Sequence, residues 1–135
     1  LYTGKGTIRR EFPYKDSRID FLIEGEGDKP CLVEVKSVTY FDDTTCLFPD
    51  AVTTRGKKHL YTLLDSAKDG YRAVMLYVCF ADRPYFSCAK DIDPEYCAAM
   101  KEVASKGVEK IVVHGSLDRQ TDTVTIKCGT VSFKE

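Results

Sequence analysis

The stretch Ser17-Arg18-Ile19-Asp20-Phe21-Leu22-Ile23-Glu24-Gly25-Glu26-Gly27-Asp28-Lys29-Pro30-Cys31-Leu32-Val33-Glu34-Val35-Lys36-Ser37-Val38 decides the fold. Ser17 to Glu24 alternates with the two-residue period of a strand. Ile19, Phe21 and Ile23 fall on one face and Arg18, Asp20 and Leu22 on the other. The alternation stops at Gly25, and Glu26-Gly27-Asp28-Lys29-Pro30 has turn composition. Leu32 to Val38 alternates again, with Val33 and Val35 set against Glu34 and Lys36. Two strands around a short turn predict an antiparallel hairpin.

A turn centred on Gly27 sets Asp20 across from Glu34, Arg18 across from Lys36 and Leu22 across from Leu32. Directly opposed residues have Cβ atoms roughly 4.5–5.5 Å apart, and like charges at that distance repel. A hard divalent cation such as Mg²⁺ takes oxygen ligands and removes the conflict. It also polarises a phosphoryl oxygen and lowers the pKa of a bound water. Lys36 shares the face of Glu34, two residues away. Its ammonium could orient that water or stabilise charge developing on a phosphate. A register slip of one residue would part the two acids. A Glu and a Lys two apart on a strand are also what an ordinary solvated face carries.

Outward from the hairpin, Thr7 to Phe12 fits either a strand or a short helical turn. Residues 39–50, rich in Asp, Thr and Pro, read as a loop. Thr53 to Ala67 predicts a helix from the spacing of Leu60, Leu63, Leu64 and Ala67, with Gly70 as its stop. Tyr71 to Phe80 suits a buried strand. Asp93-Pro94 pairs an N-cap with a proline at the first helical position, and that helix runs to Lys106 and ends at Gly107. Glu109 to His114 reads as a short strand and Thr121 to Cys128 as an edge strand. The order of hairpin, helix, strand, helix, strand, strand predicts an α/β fold, a mixed central sheet with helices packed against it.

The 135 residues suit one domain spanning 1–135. With 20 Lys+Arg against 21 Asp+Glu the net charge is −1, which argues against a general polyanion binder. Nucleic acid would have to meet a local basic patch. Arg55, Lys57, Lys58 and His59 supply one at the start of the first predicted helix, where free N–H groups and the dipole favour phosphate. Arg18 and Lys36 add to it. The competing reading is a solvated helix start with a structural His59. Asp42, Asp43 and Asp50 read as loop acids, and His114 as structural. Tyr2, Phe12, Tyr14 and Phe41 could stack on bases, although core packing is the commoner role.

The six cysteines include no C-x-x-C pair, and with only two histidines zinc is not indicated. Small buried hydrophobes in a reducing, cytoplasmic compartment are the expectation, with disulfides left open by the even count. No apolar run approaches the roughly 20 residues of a membrane span. The start, Leu1-Tyr2-Thr3-Gly4-Lys5, shows neither signal peptide nor initiating Met, so a piece of a longer protein is expected.

Ser17-Arg18-Ile19-Asp20-Phe21-Leu22 followed by Val33-Glu34-Val35-Lys36-Ser37-Val38 resembles the PD-(D/E)XK nuclease signature. The string Phe48-Pro49-Asp50-Ala51-Val52-Thr53-Thr54-Arg55-Gly56-Lys57-Lys58-His59-Leu60 resembles the sugar fermentation stimulation protein A family. Later echoes are Gly70-Tyr71-Arg72-Ala73-Val74, Ile92-Asp93-Pro94-Glu95-Tyr96 and Gly107-Val108-Glu109, so the similarity runs from Arg10 to His114. It implies a restriction-endonuclease-like (PD-(D/E)XK) core, preceded in the family by an OB-fold domain whose region is expected to fall outside residues 1–135. It also implies DNA binding, an effect on sugar utilisation and Mg²⁺- or Mn²⁺-dependent phosphodiester cleavage. Asp20, Glu34 and Lys36 carry over as the catalytic trio. Asp20 and Glu34 carry over as metal ligands, with Glu11 as a further one. Two functions follow as expectations. One is a nuclease domain acting on DNA, or on RNA, whose Arg18, Arg55, Lys57, Lys58 and His59 hold the nucleic acid. The other is a DNA-binding regulatory module that keeps the nuclease fold without turnover.

Overall fold

A strand with one apolar face needs a second layer to cover it. The computed structural model describes residues 4–127 and 131–134. Tyr2 and Cys128 lie outside the described residues. In chain order the elements are β1 (Gly6–Tyr14), β2 (Ser17–Gly25), β3 (Cys31–Val38), β4 (Tyr40–Phe41), β5 (Thr45–Phe48), α1 (Thr54–Lys68), β6 (Arg72–Cys79), β7 (Tyr85–Cys88), α2 (Pro94–Ser105), β8 (Glu109–Asp118), β9 (Thr123–Lys127) and β10 (Ser132–Phe133).

A six-stranded mixed sheet runs β1-β2-β3-β6-β8-β9. The first three strands form an antiparallel meander, and the hairpin has the expected register, with Leu22 opposite Leu32 and Phe21 opposite Val33. β3, β6 and β8 are parallel neighbours and β9 returns antiparallel. Parallel neighbours need long crossovers. α1 lies in the connection from β3 to β6, and α2 in that from β6 to β8.

The helices start where capping chemistry puts them. Thr53 accepts the Gly56 N–H at 3.0 Å, and Asp93 accepts the Tyr96 N–H at 2.9 Å with Pro94 behind it. Gly70 (φ +98) and Gly107 (φ +109) follow the two helix ends in the left-handed conformation that stops them. Both helices cover the same face of the sheet. Leu60, Leu63 and Leu64 of α1 and Tyr96, Ala99, Met100 and Val103 of α2 share one core with Leu22, Leu32, Ala73, Met75, Tyr77 and Val112. The opposite face holds a smaller cluster of Cys31, Val33 and Val74, bordered by half-buried Phe21, Ile23, Val35, Leu76 and Ile111. The sheet is therefore covered by helices on one side only, among the described residues.

Residues 39–50 are not a plain loop. They contain β4 and β5, which join β7 and β10 in a second sheet of order β10-β7-β5-β4. Strands of two to four residues are too short to display a period, and what marks them is burial of Thr45, Cys46 and Phe86. Thr7 to Phe12 proves to be part of a strand. Cys46 and Cys79 are buried free thiols and Cys31 is buried, as expected, whereas Cys88 and Cys97 form a disulfide that ties β7 to α2.

Candidate functional site: two carboxylates at an opened strand pair

Strict alternation fails at Asp20. Ile19 and Leu22 both enter the helix-side core, although residues three apart on a regular strand face opposite ways. The expectation that Ile19 shares a face with Phe21 and Ile23 is thereby corrected. The cause lies in the neighbouring strands. The β1–β2 register pairs Arg10 with Phe21 and Phe12 with Ile19, and Glu11, opposite Asp20, carries a left-handed φ of +50. On the other side the β2–β3 pairing ends at Phe21 and Val33.

Past that point side chains replace the backbone ladder. Asp20 Oδ2 accepts the Val35 N–H at 2.8 Å, and Glu34 Oε2 faces the Asp20 N–H at 3.4 Å. The two acids bracket the opened pair, as the register predicted. An open cleft there is lined by Arg10, Glu11, Asp20, Phe21 and Val35.

Glu34 is 3% exposed, so its charge needs partners. It has two. Its Oε1 lies 2.6 Å from His59 Nδ1 and 3.2 Å from Lys36 Nζ. Lys36 Nζ and His59 Nδ1 are 3.4 Å apart. Lys36 gets there because it shares the Glu34 face of β3. His59 gets there because it lies on the buried stripe of α1 with Gly56, Leu60 and Leu63. Behind them the Tyr77 and Tyr96 hydroxyls hydrogen-bond at 2.7 Å. Burial holds the Tyr96 phenol well above its ordinary value, and the negative charge of Glu34 adds to the effect.

The string from Phe48 to Leu60 builds this wall. Phe48 packs its ring 5.3 Å from Tyr96 and 5.5 Å from Tyr77. Thr53 caps α1, and its own N–H donates to Asp93 Oδ2 at 2.9 Å, so one carboxylate joins both helix starts. Gly56 lets α1 approach α2: a Cβ there would lie 3.2 Å from Tyr96 Cε2.

The remaining expected site residues are spread around the rim. The Glu11 side chain is 76% exposed and stands 3.9 Å from Arg18. Among the described residues no group of three His, Cys, Asp or Glu side chains is gathered as a metal cage, so Glu11 does not close a three-carboxylate set with Asp20 and Glu34. Arg55 is exposed. Lys57 pairs with Glu95 at 2.8 Å and Lys58 with Asp16 at 3.1 Å. His59, expected beside them as a phosphate contact, is buried against Glu34 instead. His114, read as structural, has its Nε2 2.8 Å from the Arg83 carbonyl oxygen.

The acidic side chains at the opened pair offer carboxylate oxygens and no sulfur, the donor chemistry of a hard divalent cation. Asp20 and Glu34 would each offer such an ion a carboxylate oxygen, with backbone oxygen, water or substrate completing its shell.

Fold and site together define a mixed α/β protein with a carboxylate, lysine and histidine cluster where two strands part. Residues 1–121 match the family described as Sugar fermentation stimulation protein RE domain, and the chain belongs to that family. The sugar fermentation stimulation protein homolog of Actinobacillus succinogenes is 43% identical over 124 residues, covering 90% of this chain and 52% of that protein. The homolog of Roseobacter denitrificans is 46% identical over 121 residues, covering 87% and 52%. This chain thus spans about half the length of the curated relatives it matches. Among solved structures, Pyrococcus furiosus SfsA in complex with Ca²⁺ superposes with a TM-score of 0.84 at 26% identity, over 95% of this chain and 55% of that one. No helix among the described residues is long and apolar enough to cross a membrane.

Proposed function

We propose that this chain is a restriction-endonuclease-like domain of a cytoplasmic protein that binds DNA, or RNA, and hydrolyses phosphodiester bonds with Mg²⁺ or Mn²⁺. The observation that carries this reading is the convergence of Asp20, Glu34 and Lys36 at the opened strand pair. An ordinary solvated face gives no reason for a Glu side chain that is 4% exposed to hold a lysine beside a second acid. The Ca²⁺ in the Pyrococcus furiosus relative supports a divalent ion in the same kind of fold.

Asp20 and Glu34 would hold the ion. Once bound, it would supply Lewis-acid polarisation of a phosphoryl oxygen and a more acidic water. Lys36 brings a positive charge to the side of Glu34, where it can stabilise negative charge growing on a phosphate oxygen. Arg18, Lys57 and Lys58 can exchange their acidic partners for backbone phosphates, and exposed Arg55 lies beside them on the chain.

A second reading is a DNA-binding regulator of sugar utilisation without turnover. It is favoured by the dispersed third carboxylate and by a Glu34 already paired with Lys36 and His59. The deciding experiment is a cleavage assay on duplex and single-stranded DNA and on RNA, with Mg²⁺, Mn²⁺ or EDTA, for the parent and Lys36→Ala. Metal-dependent cleavage that disappears in Lys36→Ala is expected. DNA binding with no cleavage in any metal would replace the enzyme with the regulator.

A further inference from the structure

We infer that His59 is a positioning residue for the metal-binding carboxylate, and not a phosphate contact; this rests on the reading of Asp20 and Glu34 as metal ligands. His59 is 6% exposed, so a nucleic-acid backbone running over the surface does not reach it. Its Nδ1 lies 2.6 Å from Glu34 Oε1, and that carboxylate assigns the proton to Nδ1. Lys36 Nζ donates to the same oxygen at 3.2 Å. The 3.4 Å contact between Nζ and Nδ1 is then two donors meeting on one acceptor.

The consequence concerns the other oxygen. With Oε1 held by two donors, the carboxylate plane is set and Oε2 is turned toward Asp20, whose N–H lies 3.4 Å away. A free glutamate side chain samples many rotamers. Here one is selected before any ion arrives, leaving Oε2 as the oxygen directed to the strand opening. The support is rigid: His59 stands on α1, whose first turn is fixed by the Thr53 cap and by the close approach of Gly56 to Tyr96. Partners that orient a ligand in this way tune metal affinity without touching the metal.

Asparagine and glutamine separate positioning from mere filling of space. The side-chain N–H of Asn lies close to where Nδ1 donates, whereas the amide of Gln sits one bond further out, nearer the place of Nε2. Ca²⁺ is titrated calorimetrically into the parent chain and into His59→Asn, His59→Gln and His59→Leu, with melting curves alongside. Binding of a DNA duplex without metal is measured in parallel. Expected is near-parental Ca²⁺ affinity in His59→Asn, and a loss of about 10–100-fold in His59→Gln and His59→Leu. Should His59→Leu fail to fold, the Asn and Gln variants decide alone. Parental Ca²⁺ affinity in a folded His59→Gln would overturn the inference while leaving the metal site standing. So would a metal-free loss of DNA affinity with Ca²⁺ binding unchanged, which would restore the phosphate contact. No Ca²⁺ binding by the parent would sink both the metal reading and this one.

Discussion

The Asp20 carboxylate fills the place of a backbone acceptor in the sheet: its Oδ2 takes the Val35 N–H at 2.8 Å just where the β2–β3 pairing stops. One side chain thus closes the strand opening and, in the proposed function, would also offer oxygen to a cation. Asp20→Ala orphans a part-buried N–H, which costs about 1–3 kcal/mol, whereas Asp20→Asn keeps an acceptor and is expected to lose less than about 1 kcal/mol. Both should lose Ca²⁺ affinity. Urea unfolding and calorimetry check the split, and equal midpoints for parent and Ala variant would show that the bond does not hold the strands.

Gly56 is a helix residue that alanine should not improve. A Cβ there would meet Thr53 Oγ1 at 2.8 Å and Thr53 Cγ2 at 2.9 Å, besides Tyr96. Thr53 cannot swing away without releasing the N-cap bond to Gly56. The helix-propensity gain of about 1 kcal/mol is outweighed by overpacking of about 1–3 kcal/mol and loss of the cap. Gly56→Ala should therefore lower stability by about 1–2 kcal/mol in denaturant titration. A more stable variant would mean that the two helices can part at no cost.

Asp93 makes stability depend on acid. The Thr53 N–H first, and then the Tyr96 N–H, hold its carboxyl below the ordinary range against the opposing effect of burial. A carboxyl depressed on folding stabilises fully above its unfolded pKa of about 3.9, and the contribution is lost as pH falls through the lower folded value. Asp93→Asn keeps one acceptor oxygen where the carboxylate uses two, so it should cost about 1 kcal/mol at pH 7, the scale of one lost hydrogen bond. The gap from the parent should narrow below pH 4. A constant gap from pH 7 to pH 3 would assign the effect to shape instead of charge.

Arg55 and Lys58 are expected to contact phosphate without reading sequence. Each alanine variant should weaken DNA binding evenly across sequences and reduce the salt slope by about 1. Binding is measured in EDTA to exclude turnover. Lys58 already pairs with exposed Asp16, an arrangement that water and salt loosen, so the melting temperature should not move. A salt slope unchanged in both variants would place the nucleic acid elsewhere on the surface.

How much of this was legible beforehand differs residue by residue. Asp20 opposite Glu34 follows from a turn centred on Gly27, and the structure keeps that register at Leu22 and Leu32. His59 carried a readable signal too. It lies one residue before Leu60 and four before Leu63, on the stripe that packs inward. Its neighbours Lys57 and Lys58 drew it into the basic patch, yet a helix separates adjacent residues by about 100°. Glu11, named as a further metal ligand through the resemblance, lines the cleft beside Asp20 without closing a three-carboxylate set among the described residues.

By itself the sequence determined what is local: the hairpin register, the Thr53 and Asp93 helix starts, the glycine stops and the order of the hairpin, the two helices and the longer strands that follow them. Period, capping and turn chemistry act over a few residues, so they can be read without the rest of the chain. The tertiary structure alone decided that the ladder opens at Asp20, that Ile19 joins the core of Leu22, and that His59 meets Glu34. It also decided that β4, β5, β7 and β10 make a second sheet. Each of these depends on segments far apart in the chain arriving at one place. A left-handed residue in β1, a helix crossing beneath β3 and a close approach at Gly56 set the site together, and none of them is written in the spacing of the residues they bring into contact.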